Sequence, residues 1–160
     1  MVILGIDPGT TRIGYGLIKK EGNQYKSLSY GLINAEKISD SFERLEFIYQ
    51  ETLNLIQKTQ PDLYSIEQLF FFKNSKTIIS VSQARGVLLL AAKHSKIPIF
   101  ECTPLQVKQG VTGYGKADKT QIAKMVQMLL KLPEIPKPDD ITDALSIAIT
   151  GGNFCKKIMA

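Results

Sequence analysis

Residues 63–101 contain a short apolar segment, a long helical pattern and a second apolar segment. Leu63–Glu67 has the pattern of a strand, the apolar spacing that continues to about His94 predicts a helix, and Ile97–Glu101 predicts another strand. Two strands joined by a long helix form a crossover, in which the strands run parallel. This segment therefore restricts the chain to folds in which helices cover a parallel strand pair.

The segments before this crossover predict an antiparallel meander. Val2–Asp7 is apolar almost throughout, and Ile13–Ile18 and Tyr25–Asn34 follow as two further strand patterns. The polar stretch Lys19–Gln24 between the last two contains Gly22, which suits a hairpin loop. We therefore expect three consecutive antiparallel strands ahead of the crossover.

The remaining segments predict helices that proline and glycine residues delimit. Apolar residues at helical spacing follow Asp40 and Glu43, which predict a capped helix that ends at Pro61. Proline favours the first helical position, and glycine favours the position just past the end. Three more helices are expected on this basis, at Pro104 to Gly110, about Ile122 to Pro133, and Asp140 to Thr150 with its end at Gly151-Gly152. Residues 111–116 are expected to form a mobile loop.

In chain order, these elements predict an α/β fold with one mixed five-stranded sheet. Three antiparallel strands come first, the parallel crossover strands follow, and helices flank the sheet. This is the order of elements in the ribonuclease H-like fold. The 160 residues, 44% of them hydrophobic, suffice for one domain with its own core. We predict a single domain over residues 1–160, of which about 151–160 form a C-terminal tail.

The charge balance is basic, with a net charge of +5 and a pI of about 9.1, which favours a polyanionic partner. The longest apolar run, Val87–Ala92, is far shorter than the ~18 residues needed to cross a membrane, and the N-terminus lacks the pattern of a signal peptide. Cys102 and Cys155 lie outside any CxxC or Cys/His pattern, so we expect free thiols rather than a zinc site. We therefore expect a cytoplasmic protein that does not associate with membranes.

Four acidic residues end or line apolar elements. Asp7 and Glu67 each follow an apolar strand, and Asp140 and Asp143 lie three residues apart on one face of the last helix. Carboxylates this close to a core are costly to desolvate without a compensating partner. Oxygen ligands indicate a hard cation. We predict that these four residues bind two Mg²⁺ ions, for which Mn²⁺ can substitute, and catalyse an in-line phosphoryl displacement by water.

Each of these acids also has an ordinary interpretation. Asp7 before Pro-Gly suits a turn, Glu67 suits a strand end, and Asp140 and Asp143 suit the first turn of a helix, where the macrodipole favours acids. The metal site depends on all four occurring together in this order of elements. Asp139 adjoins Asp140, and we choose Asp140 as the ligand because it shares a helical face with Asp143.

Several segments resemble the RuvC family of crossover junction, or Holliday junction, endodeoxyribonucleases, from residue 2 to about residue 150. Each segment alone is a weak signal, but together they are highly specific. The similar segments are Gly5-Ile6-Asp7-Pro8-Gly9 with Gly14-Tyr15-Gly16, Ile66-Glu67-Gln68 with Phe70, Gln83-Ala84-Arg85-Gly86, Gln106-Val107-Lys108-Gln109, the stretch 113–119, and Asp140-Ile141-Thr142-Asp143-Ala144.

This resemblance implies a homodimeric nuclease that makes paired symmetric nicks in four-way DNA junctions during recombination and repair, with RuvA and RuvB as branch-migration partners. It also implies that the four acids bind the metal, that Phe70 lies at the junction centre, and that Lys108 and Lys119 lie near the DNA. Basic residues flank the proposed site in sequence, and as a group they would neutralise phosphates. The residues expected to bind DNA are Phe70, Lys73, Lys76, Arg85, Lys108, Lys116 and Lys119.

Two further features bear on assembly and substrate. The helix that ends near His94 carries apolar residues on more than one side, so it is either deeply buried or part of a two-fold interface. The run Phe70-Phe71-Phe72 precedes polar residues and should lie near the surface. We expect at least one ring to pack beneath the loop and Phe70 to be exposed.

Three other functions remain open from the residues alone. An ATPase of the actin and sugar-kinase class shares a hairpin like Gly5–Thr11, but it needs two lobes, and 160 residues supply one. A single-domain nuclease that acts on RNA would share the acids. A DNA-binding module with inactive carboxylates would not need the complete acid set. A nucleotide-binding assay separates the first of these from a nuclease.

Overall fold

The computed structural model describes residues 1–69 and 75–155, apart from the side chains of Ser75 and Lys76. Over these ranges, no helix is long and apolar enough to pass through a membrane. The strands are β1 (Val2–Asp7), β2 (Arg12–Glu21), β3 (Gln24–Asn34), β4 (Leu63–Glu67) and β5 (Ile99–Cys102). The helices are α1 (Ser41–Thr59), α2 (Ser75–His94), α3 (Pro104–Thr112), α4 (Lys119–Leu130) and α5 (Asp139–Phe154).

The five strands form one mixed sheet in the order β3-β2-β1-β4-β5. The first three strands are antiparallel neighbours, and β4 runs parallel to both β1 and β5. The predicted meander, the predicted crossover and the mixed five-stranded sheet are therefore confirmed. The predicted cap of α1 is also present, because the Asp40 side chain accepts hydrogen bonds from the backbone N–H groups of Phe42 (2.8 Å) and Glu43 (2.9 Å).

Helices cover both faces of the sheet. On β1, Leu4 and Ile6 are buried in a cluster with residues of α1 and α2, whereas Ile3 is buried in a second cluster with residues of α4 and α5. Successive side chains of a strand point to opposite faces. Gly5 and Asp7 therefore share the α5 face with Ile3, and this alternation determines which helix meets the acid at the end of β1.

Two predicted helix ends were wrong, both at glycines. α5 continues through Gly151 and Gly152 to Phe154, so residues 151–154 belong to the helix rather than to a C-terminal tail. A Cβ atom at Gly151 would lie 2.7 Å from Ser65 Oγ, which shows that glycine is needed here for close packing on β4. α3 likewise passes through Gly110, where a Cβ atom would lie 2.9 Å from the Thr150 hydroxyl of α5.

The end of α3 shortens the predicted loop at 111–116. Gly113 is the C-cap, with φ of 73°, a backbone conformation that glycine adopts without strain. Val111 is helical and buried in the core next to α5, and Ala117 is buried in the same cluster. The segment that connects α3 to α4 is therefore anchored at both ends.

Candidate active site

Asp7 and Glu67 end two neighbouring parallel strands. In the register of β1 with β4, Gly5 is opposite Ser65 and Ile6 is opposite Ile66, so the next residue on each strand is an acid. Ser65, two residues before Glu67, donates a hydrogen bond from its hydroxyl to the carbonyl of Ile147 in α5 (2.9 Å). Because side chains alternate along a strand, Glu67 shares this α5 face, as Asp7 does on β1.

Glycines on the sheet allow the first turns of α5 to approach the strands. Gly14 pairs with Asp7, and a Cβ atom at Gly14 would lie 1.9 Å from the carbonyl oxygen of Asp140. A Cβ atom at Gly5 would lie 2.2 Å from the carbonyl oxygen of Ala144. Residues without a side chain are therefore required at both positions, and the close approach places Asp140 and Asp143 beside Asp7.

Burial and mutual repulsion raise the pKa values of three of the carboxyl groups. Burial contributes most at Asp7, whose pKa rises to about 7, with further contributions from Asp143, Glu67 and Asp140. Burial and then Asp143 also raise the pKa of Glu67 to about 7. Burial raises the pKa of Asp143, and Lys119 opposes that rise. Repulsion between carboxylates raises a pKa only when the groups are close together, so the structure brings the four acids chosen from the sequence into one site.

Asp140 is better placed than Asp139 to take part in this site. Asp139 is exposed, whereas the Asp140 side chain is only 25% exposed. The charges of Asp139 and Asp140 both raise the pKa of Asp143, but of the two it is Asp140 whose charge is among the main causes that raise the pKa of Asp7. We therefore retain Asp140 as the proposed ligand on α5.

Two basic side chains balance the acids on α5. Lys119 Nζ lies 3.4 Å from Asp143 Oδ2, and Arg12 Nη2 lies 3.5 Å from Asp140 Oδ2. Their side chains are 76% and 45% exposed, so these pairs contribute little to stability and mainly reduce the negative charge of the site. Lys119 was predicted near the site, but Arg12 was missed. Arg12 begins β2, which pairs antiparallel with β1, so the predicted hairpin of these two strands is the sequence feature that could have indicated it.

The donor set suits a hard divalent cation. All four groups are carboxylates, the chemistry that Mg²⁺ and Mn²⁺ prefer, and a cation would relieve the repulsion that, together with burial, raises the pKa values of Asp7 and Glu67. Over the ranges 1–69 and 75–155, however, no three His, Cys, Asp or Glu side chains are already spaced as ligands of one ion. The fit to a hard cation therefore rests on the chemistry of the four carboxylates.

The residues expected to bind DNA fall into three groups. Lys119 is exposed beside Asp143, Lys116 is exposed in the segment between α3 and α4, and Lys108 is half-buried on α3. Phe70 and Lys73 lie outside the described residues, as does the side chain of Lys76. Arg85 differs from the others, because its guanidinium is largely buried and donates hydrogen bonds within the chain.

The raised pKa values predict how the stability of the metal-free protein depends on pH. An acid with a pKa of about 7 in the folded state and about 4 in the unfolded state binds its proton more tightly when folded. Stability must then fall as pH rises through that interval. We expect the Tm of the metal-free protein to decrease by several degrees between pH 5 and pH 8, and an added divalent cation to restore it at pH 8 more than at pH 5.

Differential scanning calorimetry measures this effect. Asp7→Asn should flatten the pH dependence of Tm, whereas Glu46→Gln, at an exposed position on α1, should leave it unchanged. A Tm that is constant or rises between pH 5 and pH 8 would contradict the assigned pKa values.

Comparison with known proteins decides the family. The model of the family "Crossover junction endodeoxyribonuclease RuvC" matches residues 3–151. This chain belongs to the RuvC family. The RuvC of Halothermothrix orenii is 54% identical over 153 residues, covering 96% of this chain and 93% of the relative. The RuvC of Fusobacterium nucleatum is 53% identical over 150 residues, covering 94% and 79%.

Solved structures of RuvC share the fold. The Thermus thermophilus RuvC structure superposes with a TM-score of 0.90 at 32% identity, covering 98% of this chain and 96% of that one. T. thermophilus RuvC in complex with a Holliday junction substrate superposes with a TM-score of 0.92 at 32% identity, covering 100% and 98%. The expected ribonuclease H-like fold is confirmed, and the family separates this chain from the ATPases and RNA nucleases that the residues alone left open.

Proposed function

We propose that this chain is a Holliday junction resolvase, a metal-dependent endonuclease that makes paired symmetric nicks in four-way DNA junctions. One observation carries the proposal: in a chain of the RuvC family, the carboxylates that end β1 and β4 lie beside those in the first turns of α5, with Lys119 next to them. The reaction is hydrolysis of a phosphodiester bond, which leaves a 5′-phosphate end that a ligase can seal.

The chain's own residues would prepare this reaction in two ways. Asp7, Glu67, Asp140 and Asp143 would hold Mg²⁺, and Asp7 interacts with each of the other three acids. Two ions bound there would stabilise the charge on the attacking and leaving oxygens of an in-line displacement. The exposed ammonium of Lys119 is close enough to Asp143 to balance its charge and is free to turn towards a phosphate oxygen. The partly buried setting keeps these charges from being fully screened by water.

The substrate is tested by comparing three nucleic acids. We incubate the protein with a synthetic four-way junction, a linear duplex of the same sequence and an RNA hairpin, each with and without Mg²⁺. We expect the protein to cleave the four-way junction but neither of the other two nucleic acids, and only when Mg²⁺ is present. Equal cleavage of the duplex would contradict junction specificity, and cleavage of the RNA hairpin would favour a ribonuclease.

We also propose a homodimer formed through α2. The inner side of this helix is committed to the core, since Ala84, Leu88 and Ala92 are buried against the sheet. Its outer side exposes Ile79 by 69% and Leu90 by 45%, eleven residues apart and therefore on one helical face. A two-fold contact through this face would hold two identical sites at a fixed spacing, which suits the two equivalent strands of a junction.

Replacing Ile79 by glutamate should convert the dimer to a monomer. A buried charge without a partner is strongly unfavourable at an interface. Light scattering coupled to size-exclusion chromatography should show the mass fall from twice 17.8 kDa to 17.8 kDa. Met128→Glu, at a position on α4 that is 70% exposed, is the matched control and should remain dimeric. A wild-type protein that is monomeric at micromolar concentration would contradict the proposal.

Phe70 is proposed to stack on an unpaired base at the junction centre, a role supported by the family resemblance. Stacking of a base on an aromatic ring contributes roughly 1–3 kcal/mol. Phe70→Ala should therefore slow junction cleavage by roughly tenfold or more, whereas Phe70→Trp should retain much of the activity. If Phe71→Ala or Phe72→Ala is the slow variant instead, the stacking ring has been misassigned.

The family resemblance also bears on the protein partners of this chain and on its location in the cell. We propose RuvA and RuvB as the partners that deliver the branched substrate, and the cytoplasm as the location, both by analogy with the family. Co-purification of the chain with RuvA and RuvB on a synthetic junction tests the partners directly. Recovery of the junction complex without this chain would contradict them.

A further inference from the structure

The guanidinium of Arg85 lies beneath the end of β4 and is held on two sides. Its Nε donates a hydrogen bond to the backbone carbonyl of Glu67 (3.0 Å), and its Nη2 forms an ion pair with the carboxylate of Glu101. The Arg85 side chain is only 15% exposed. An arginine that contacts DNA from the surface would direct these donors outward, so its hydrogen bonds indicate a role within the protein.

These contacts join three elements at one point. Arg85 belongs to α2, Glu67 ends β4, and Glu101 lies in β5. The backbone beyond Glu67 is also held by β5, because the Gln68 N–H donates to the carbonyl of Cys102 (2.8 Å). Arg85 thus links α2 directly to the end of β4 through its hydrogen bond to Glu67.

The position of the Glu67 backbone sets the direction of its carboxylate. A strand that ends at a residue leaves the last peptide group without the full ladder of hydrogen bonds, so an added donor can restrict its movement. Displacements of about 1 Å at a reactive group can reduce rates by roughly a hundredfold. A planar guanidinium that donates to two fixed acceptors is suited to this task in a way that an ammonium is not.

We propose that Arg85 is a positioning residue that fixes Glu67 relative to α2 and thereby sets the metal-binding geometry of the site. This inference rests on the proposed function and replaces the expectation that Arg85 binds DNA. It also gives the ion pair with Glu101 a role: Glu101 holds the guanidinium in the orientation that reaches the Glu67 carbonyl.

Four variants of the full chain test this role. Arg85→Lys keeps the charge but cannot donate to both acceptors in the same geometry, Arg85→Gln removes the charge, and Glu101→Gln removes the ion pair while leaving the bond to Glu67 possible. Arg44→Gln is the matched control, because Arg44 on α1 also donates to a backbone carbonyl, that of Ile38 (3.1 and 2.7 Å). It should report the general cost of losing such an arginine.

Three properties are measured for each variant: Mn²⁺ affinity by calorimetry, junction affinity at several salt concentrations, and the cleavage rate at saturating junction. We expect Arg85→Lys and Arg85→Gln to weaken Mn²⁺ binding and slow cleavage by roughly tenfold or more, the usual effect of losing a group that orients a metal ligand. Junction affinity and its salt dependence should stay at the wild-type values. Glu101→Gln should show a smaller loss, and Arg44→Gln should lower Tm without changing Mn²⁺ affinity.

Two results would overturn the inference. Weaker junction binding with a salt dependence reduced by about one phosphate contact would make Arg85 a DNA contact. Folded Arg85 variants with wild-type Mn²⁺ affinity and cleavage rate would make its role purely structural. If the wild-type protein does not cleave junctions at all, the proposed function fails, but the Mn²⁺ measurements still decide whether Arg85 positions Glu67.

Discussion

Asp7→Asn is expected to abolish junction cleavage while leaving junction binding intact. The amide has the shape of the carboxylate but lacks the negative charge that would hold a divalent cation, and Asp7 is the acid whose pKa responds to all three of the others. Metal stabilisation of a phosphoryl displacement amounts to several kcal/mol. At about 1.4 kcal/mol for each tenfold change in rate, the loss should be roughly 10³-fold or greater.

Binding should survive because it depends on other groups. Exposed lysines such as Lys116 and Lys119 are the groups proposed to attract phosphate, and Asp7→Asn leaves them in place. Gel-shift and single-turnover cleavage assays on the same junction separate the two properties. Glu67→Gln and Asp143→Asn should behave in the same way.

Asp139→Asn is the matched control for this series. Asp139 adjoins Asp140 in sequence but is exposed, so its replacement should change the cleavage rate by no more than a few-fold. If Asp139→Asn abolishes cleavage and Asp140→Asn does not, the ligand on α5 has been assigned to the wrong neighbour. Turnover at the wild-type rate by Asp7→Asn would refute the metal site as a whole.

Gly14→Ala should damage the site through the backbone rather than through any charge. The added Cβ would lie 1.9 Å from the carbonyl oxygen of Asp140, an atom that cannot rotate away. The start of α5 would have to move from the sheet by about 1 Å or more, which carries Asp140 and Asp143 away from Asp7. A misplacement of this size can cost roughly 10²-fold in rate, and overpacking of this kind typically costs about 1–3 kcal/mol of stability.

Gly16→Ala provides the matched comparison two residues along the same strand. Its Cβ would lie 2.7 Å from Cδ2, 2.9 Å from Cγ and 3.0 Å from the backbone Cα of Leu145. The Leu145 side chain can change rotamer, and its Cα requires a much smaller shift than the Asp140 oxygen at 1.9 Å does, so we expect a smaller loss of activity than at Gly14. Single-turnover rates and thermal unfolding of both variants test the difference. A Gly14→Ala protein with wild-type cleavage would show that α5 tolerates displacement and that the glycine does not set the site.

The sequence by itself determined the order and type of the elements. Apolar alternation and helical spacing are local properties, so the meander, the crossover and the strand Leu63–Glu67 were predicted with their observed character. The same local patterns gave a wrong prediction for the ends of two helices. Gly110 and Gly151 look like helix terminators in sequence, but each lies where two elements touch, and glycine serves there to allow the contact.

The candidate acids were also recognisable before the fold was known, because each ends or begins an element of clear pattern. Only the tertiary structure decided how these acids meet: the register of β1 with β4 sets Asp7 next to Glu67, and the close approach of α5 to Gly5 and Gly14 adds the acids of the helix. It also revealed Arg12 beside Asp140 and the bond from Arg85 to the Glu67 carbonyl. These contacts join residues far apart in the chain, so they depend on how strands and helices pack, which local sequence patterns do not encode.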